Sequence, residues 1–186
     1  MTTNRSTSTS STDTPRIYVA SLADYNSGIL HGRWIDADQS ADAIREAISE
    51  MLAESKEPMA EEWAIHAFEN FGSYSLSESE DIDKVAEMAC LIGEHGPLFA
   101  ELVAHFAGDL DDAKRWMQDG YRGEWESLTH YAESLVDDCY SDVLKGLPDF
   151  IRYRIDFEGI GRDMELGGDI FTIELDHKLH VFDSQI

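Results

Sequence analysis

DIFTIELDHKLHVF, residues 169–182, decides the fold class. Within DIFTIEL (169–175) and KLHVF (178–182) apolar and polar side chains alternate, the period of a strand with one buried face. A turn separates the two runs, so together they predict a terminal antiparallel hairpin. Just upstream, a short helix near 156–165 carries Ile160 and Met164, and Gly167-Gly168 ends it. Pro148 opens this last part of the chain.

The other end also begins with a strand. RIYVASL (16–22) sets Ile17 and Val19 against Tyr18, Ala20 and Leu22. YNSGILHG (25–32) reads as a loop, with Asn26 and Gly28 as turn formers. RWID (33–36) is a short second strand. Residues 40–54 predict a helix with Ile44, Ile48, Met51 and Leu52 on one face, and EEWAIHAF (61–68) returns to a strand. The middle is helical. Residues 79–92 place Ile82, Val85, Ala86 and Ala89 on one stripe. A second helix starts at Pro97 and stops at Gly108, with Leu98, Leu102, Val103 and Phe106 inward. A third covers about 109–119, with Asp109 as N-cap and Gly120 as stop. The fourth, about 127–144, turns Leu128, Ala132, Leu135, Val136, Cys139 and Val143 to the core.

The expected fold is therefore α+β, in three small domains behind a disordered Ser/Thr tail at 1–14. An N-terminal α+β domain with a short antiparallel sheet takes 15–72. An acidic helical domain, a compact bundle, takes 73–146. A C-terminal α+β domain with the hairpin takes 147–186. No internal repeat is visible.

Charge is the outlier. The 186 residues hold 38 acids and 14 bases, a formal net charge of −24. Solubility asks for a magnitude of about 2–8, and a larger excess costs stability through self-repulsion. Affinity for nucleic acid comes from Lys and Arg displacing counterions, so this chain is repelled from DNA, RNA and anionic membranes. Its natural partners are basic surfaces or cations; a halophilic origin is another route to such a composition. Between Glu61 and Lys145 stand 20 acids and 5 bases, so the middle of the chain carries most of the excess.

Cys90 and Cys139 lie far apart and outside any Cys-x-x-Cys pair, which fits two reduced thiols of a cytosolic protein. No apolar run approaches the roughly 18 residues of a membrane span, and no apolar segment follows the N-terminus as in a secretion signal. A cytoplasmic, bacterial location is expected.

Signatures of chemistry are weak. His177 and His180 are three apart on a predicted strand, where their rings point to opposite faces. His31, His66, His95, His105 and His130 show no ligand spacing. Asp109-Leu110-Asp111-Asp112 begins like a calcium loop, but Ala113 and Lys114 follow and the required glycine is missing. Gly159-Ile160-Gly161 lacks the context of a phosphate-binding loop. Pro148-Asp149 upstream of Asp176-His177-Lys178 loosely resembles the carboxylate and lysine pattern of Mg²⁺-dependent nucleases. Against it stand a helix-start role for Asp149, a polar hairpin turn, and the lack of a basic patch to hold DNA. No cofactor, metal or catalytic residue is expected, and the protein reads as a non-enzyme.

The acids are arranged more tellingly. Glu133 and Asp137 are four apart, as are Asp138 and Asp142. Such like-charge neighbours destabilise a helix by a few tenths of a kcal/mol. Glu78, Glu80, Asp81 and Asp83 cluster, as do Asp109, Asp111 and Asp112; Glu124 and Glu126 lie between. A solvated acidic face explains any one cluster. Repeated clusters favour a use. B-DNA carries about one charge per 1.7 Å of axis, so 24 net charges match about 40 Å of duplex. These thirteen acids are the candidate DNA-mimic surface.

Several blocks resemble the ArdA-type antirestriction proteins. Ile17-Tyr18-Val19-Ala20-Ser21-Leu22-Ala23-Asp24-Tyr25-Asn26-Ser27-Gly28, continuing from Leu30 through Asp36, is similar to the family's opening. Glu62-Trp63-Ala64-Ile65-His66 is similar to a second block, and Gly123-Glu124-Trp125-Glu126-Ser127-Leu128 with the following helix to its antirestriction segment. Tyr153–Phe157, Gly161–Leu166, Gly168–Phe171 and His180–Phe182 resemble its C-terminal domain. The resemblance spans about 16–183. It implies an elongated three-domain protein that dimerises and mimics bent B-DNA. Such a protein occupies the DNA groove of the specificity and methyltransferase core of type I restriction–modification enzymes and protects incoming mobile DNA. The antirestriction segment maps to about 128–144 and contains Glu133, Asp137, Asp138 and Asp142. Tyr121, Trp125 and Leu128 are the candidates for the dimer contact, with intramolecular core as the alternative. For Asn26, Gly28, Gly32 and Trp34 a folded loop is the expected role. The rival readings are an acidic module for another basic DNA-handling protein and a nuclease using Asp149, Asp176 and Lys178.

Overall fold

The structure, a computed structural model, describes residues 14–186. The Ser/Thr tail expected at 1–14 thus lies outside the described residues, apart from Thr14. The chain divides into two compact units, the first ending at Leu110 and the second running Asp111–Ile186. Both combine helices with a small antiparallel sheet, as the α+β reading requires.

In the first unit, β1 (Arg16–Ser21) is the central strand between β2 (Gly32–Asp36) and β3 (Trp63–Glu69). Ile17 faces Ile35 across one ladder and Phe68 across the other. The β3 register shifts at Tyr18/Val19, which leaves His66 as an extra, bulged residue. The β1–β2 connection, read from sequence as a loop, contains a short helix α1 (Leu22–Asn26), because the Ser21 hydroxyl caps it through Asp24 N–H. Helix α2 (Ala41–Ala53) is capped by Ser40 and buries Ile44, Ile48 and Met51. Helix α3 (Ile82–His95) starts at its cap Asp81 and buries the predicted stripe of Ile82, Val85, Ala86 and Ala89. It leaves Cys90 on the surface. Helix α4 (Pro97–His105) begins at the predicted proline and buries Phe99, Leu102 and Val103. Each fully buried Ile, Leu or Phe stabilises the fold by about 1.5–3 kcal/mol. The chain is tied across residue 72: Ile65 N–H bonds the Glu78 carbonyl at 2.9 Å, and Gly72 packs on Ala100 and Glu101. Helices α3 and α4 therefore belong with the N-terminal sheet.

The second unit opens with α5 (Leu110–Arg115), which widens into a π turn at Trp116–Gly120. The turn delivers the chain into β4 (Tyr121–Trp125), a strand the helical reading of the middle did not anticipate. Strand β6 (Lys178–Asp183) lies between β4 and β5 (Ile170–Leu175). The predicted hairpin is present, and its turn residues Asp176 and His177 both have positive φ, 51° and 63°. His177 is thus in the turn and not on a strand. Helix α6 (Leu128–Gly146) is capped by Ser127 and breaks at Tyr140 (φ −125°, ψ 19°). Around the break, the expected inward residues do not hold: Cys139, just before it, and Val143, past it, are exposed and Leu144 is buried. A short α7 (Asp149–Arg152) precedes α8 (Phe157–Gly167), which Gly168 ends in the left-handed region. Gly161 lets α8 close on α6; a Cβ there would sit 2.7 Å from the Leu128 carbonyl oxygen. Tyr131, Ile170 and Val181 form the core, with Trp125, Leu128, Leu135, Met164 and Leu179 packed around it. The helices expected to form one central bundle are shared between the two units.

Candidate functional site

The acids do not all stand free. In the first unit, Glu80 accepts from Ser77 N–H at 3.1 Å and pairs with Lys84 at 3.2 Å. Partial burial alone would raise its pKa, but those two donors outweigh it and hold the carboxyl below its usual value. Asp83 pairs with Arg45, whose guanidinium it holds more firmly charged. Asp81 is the α3 cap. Glu78 is exposed. The 78–83 cluster is thus partly a helix-start device, with two of its four carboxylates matched by cations. Asp109, Asp111 and Asp112 surround the start of α5, where the helix dipole favours acids, and Asp111 pairs with Lys114 at 3.1 Å.

The second unit is barer along α6. Glu133, Asp137 and Asp138 are exposed, and among the described residues none of them is ion-paired. They span about 7.5 Å of helix axis at 1.5 Å per residue. Their mean charge density along the axis is of the order of a single DNA strand, about one charge per 3.4 Å, although Asp137 and Asp138 are neighbours. Asp142 lies beyond the Tyr140 break and pairs with Lys145 at 3.3 Å. The break lies between Asp138 and Asp142, so the two are not an i,i+4 pair of one regular helix. Glu124 lies 3.6 Å from Lys178, and Glu126 3.7 Å from the His130 ring.

Viewed by unit, the charge is spread more evenly than the sequence window suggests. Residues 1–110 carry 20 acids and 6 bases, and 111–186 carry 18 and 8. Net charge per residue is nearly the same in both.

Tyr121, Trp125 and Leu128 are packed inside their own unit. The Tyr121 ring lies 5.9 Å from His180 and 5.2 Å from Phe182. The Trp125 ring meets Tyr131 edge-on at 5.5 Å and its Nε1–H donates to the Arg122 carbonyl. The large exposed apolar side chains of this unit stand elsewhere: Tyr140 and Val143 on α6, Phe150 and Ile151 on α7, then Tyr153 (76% exposed) and Leu166. Period-2 spacing of Tyr121, Gly123 and Trp125 could have revealed β4 and so the packed role of these rings.

The remaining chemical candidates do not gather. Asp149 pairs with Arg152 at 3.0 Å, Lys178 faces Glu124, and Asp176 occupies the hairpin turn. Among the described residues no three His, Cys, Asp or Glu side chains are grouped as metal ligands. No helix of the described residues is long and apolar enough to cross a membrane.

A family model described as "Antirestriction protein (ArdA)" matches residues 17–178. The chain belongs to the ArdA antirestriction family. No curated protein matches it. The match covers most of both units and is not confined to the acidic helix. Antirestriction is the function that this family membership assigns.

One buried pair gives the ArdA fold a pH response. The Tyr121 hydroxyl lies 2.8 Å from His180 Nδ1, and His180 is buried on the central strand. Burial pushes the imidazole pKa down, against the opposing pull of Glu124 and Asp176. An unfolded chain then takes up this proton at higher pH than the folded one, so the contribution is complete above about pH 6.5 and is lost as pH falls through the lower folded value. Urea titrations at pH 7.5 and 5.5 should show stability falling over that interval, and His180→Gln should flatten the fall.

Proposed function

We propose that the acidic surface stands in for the phosphates of B-DNA and occupies the DNA groove of a type I restriction–modification enzyme, at its specificity and methyltransferase core. The reading is carried by α6: three exposed carboxylates without an ion pair among the described residues, within one short stretch of helix, inside the segment that resembles the family's antirestriction motif. A carboxylate row matched by lysines would be a solvated helix face. This row keeps like charges adjacent at a cost in helix stability, which a cationic partner repays on binding. The partner enzyme's cationic groove attracts the surface at long range, and DNA itself is repelled. Such an inhibitor works in the bacterial cytoplasm on behalf of entering mobile DNA and needs no catalytic step. Competition with duplex DNA for a purified type I methyltransferase core, at low and high salt, tests it. Displacement of DNA that weakens steeply with salt supports the reading; failure to displace DNA at either salt overturns it.

The active form is proposed to be a homodimer. Exposed Tyr140, Val143, Phe150 and Tyr153 on adjoining segments favour it, since large exposed apolar side chains gathered in one stretch of chain suit an interaction surface. This contact differs from one through Tyr121, Trp125 and Leu128, which are half-exposed. Val143→Asp/Tyr153→Asp should sediment as a monomer under conditions where the parent chain is dimeric, while Trp125→Ala should unfold its unit and not merely split the dimer.

A further inference from the structure

The β1–β2 connection holds a second apolar feature, in the first unit. Tyr25, Ile29 and Leu30 are exposed, Leu30 to 75%. Single exposed apolar residues need no explanation, but three within six residues form a patch. The turn that carries them is firmly built. Ser21 N–H bonds the His31 carbonyl at 3.0 Å, closing the base of the connection. Ile29 N–H bonds the Asp24 carbonyl at 2.9 Å, and Gly28, at φ 77°, bonds Tyr25. The Asp24 carboxylate, 2% exposed, accepts from Ser55 at 2.6 Å. The bulged His66 meets the Tyr25 ring edge-on at 4.9 Å. Ile29 and Leu30 are therefore held out to solvent by a fixed backbone, and little conformational entropy remains to be lost when they are covered.

The rim of the patch selects what covers it. The Glu62 carbonyl accepts Leu22 N–H at 3.0 Å, and Glu57 N–H bonds the Ser55 hydroxyl that reaches Asp24. The segment 54–62, with Glu54, Glu57, Glu61 and Glu62 against the single cation Lys56, thus borders α1. Arg33 on β2 is already committed to Glu50 and Glu54 at 3.1 and 2.8 Å. A second copy would bring the same acids face to face. A basic protein surface would not. We propose that the turn at 25–30 is a preorganised apolar anchor that seats in a pocket bordered by Lys and Arg on the partner enzyme, Glu57, Glu61 and Glu62 pairing those cations. The proposal rests on the function proposed above and adds a contact that DNA itself cannot make.

The test uses the full chain against a purified type I methyltransferase core carrying fluorescent duplex DNA. Ile29→Ser/Leu30→Ser should need about tenfold more protein to displace the DNA. Its dependence on salt should match the parent's, because no charge has changed, and its circular dichroism should be unaltered. Leu30→Met should compete like the parent. A photo-crosslinking phenylalanine at position 30 should couple to a subunit of the enzyme. The anchor is overturned if the double serine variant competes as well as the parent, or if position 30 yields no crosslink while the parent displaces DNA. A parent that displaces no DNA at either salt overturns the proposed function and the anchor together.

Discussion

Glu133→Gln/Asp137→Asn/Asp138→Asn/Asp142→Asn should weaken displacement of DNA by about tenfold or more, and no single member of the set should exceed a few-fold. Exposed charge pairs are worth roughly 0.2–1 kcal/mol each, so four changes accumulate to what one cannot. The salt dependence should flatten as well, because four charges leave the track that a cationic groove reads. Stability should hold or rise. Glu133 and Asp137 lie four apart in the regular part of α6, and removing that repulsion gains a few tenths of a kcal/mol. A variant that is at least as stable but a poorer inhibitor isolates binding from folding. If one conservative change at an exposed acid abolished inhibition in a folded chain, a distributed charge surface would be the wrong description.

Gly161→Ala should destabilise the second unit by about 1–3 kcal/mol, the usual cost of forcing an extra carbon into a filled space. The new Cβ would lie 2.7 Å from the Leu128 carbonyl oxygen and 3.0 Å from its Cβ, where backbone has to move. Gly146→Ala is the control. Its Cβ would meet nothing within 4 Å near the end of α6, so it should gain up to about 1 kcal/mol from helix propensity. Urea denaturation of the two variants should therefore shift in opposite directions. Equal shifts would mean that α6 and α8 do not depend on this close approach.

The sequence announced those elements whose signals are local. Pro97, Ser40, Ser127 and Gly168 mark helix ends because capping chemistry acts within a turn, and the alternation in 169–182 survives as β5 and β6. What it concealed depends on partners distant in the chain. β4 is a strand because β6, some sixty residues on, offers it an edge, and its register slips at Gly123 (φ 99°). The break at Tyr140 likewise has no proline or glycine to announce it. Beyond it Val143 faces water and Leu144 the interior. Among the acids, composition gave the excess but not the pairing. Arg45 reaches Asp83 from 38 positions away, and Lys178 reaches Glu124 from across the sheet. Glu133, Asp137 and Asp138 are distinguished only once those partners have been assigned. Tyr121, Trp125 and Leu128 likewise owe their packing to β6, Tyr131 and α8, which sequence spacing does not announce, and they stay half-exposed there.

The crowding of carboxylates also reaches the thiol chemistry of the chain. Cys90 stands on the exposed side of α3 with Glu94 4.0 Å away. Partial burial, and then the charges of Glu94, Asp38 and Glu87, push its pKa up. The thiolate is the species that attacks disulfides and is oxidised. A surface that repels hydroxide-like charge from its neighbourhood therefore keeps this accessible sulfur protonated and slow to react. Cys90 should thus react with a disulfide reagent more slowly than an unperturbed exposed thiol, without being buried.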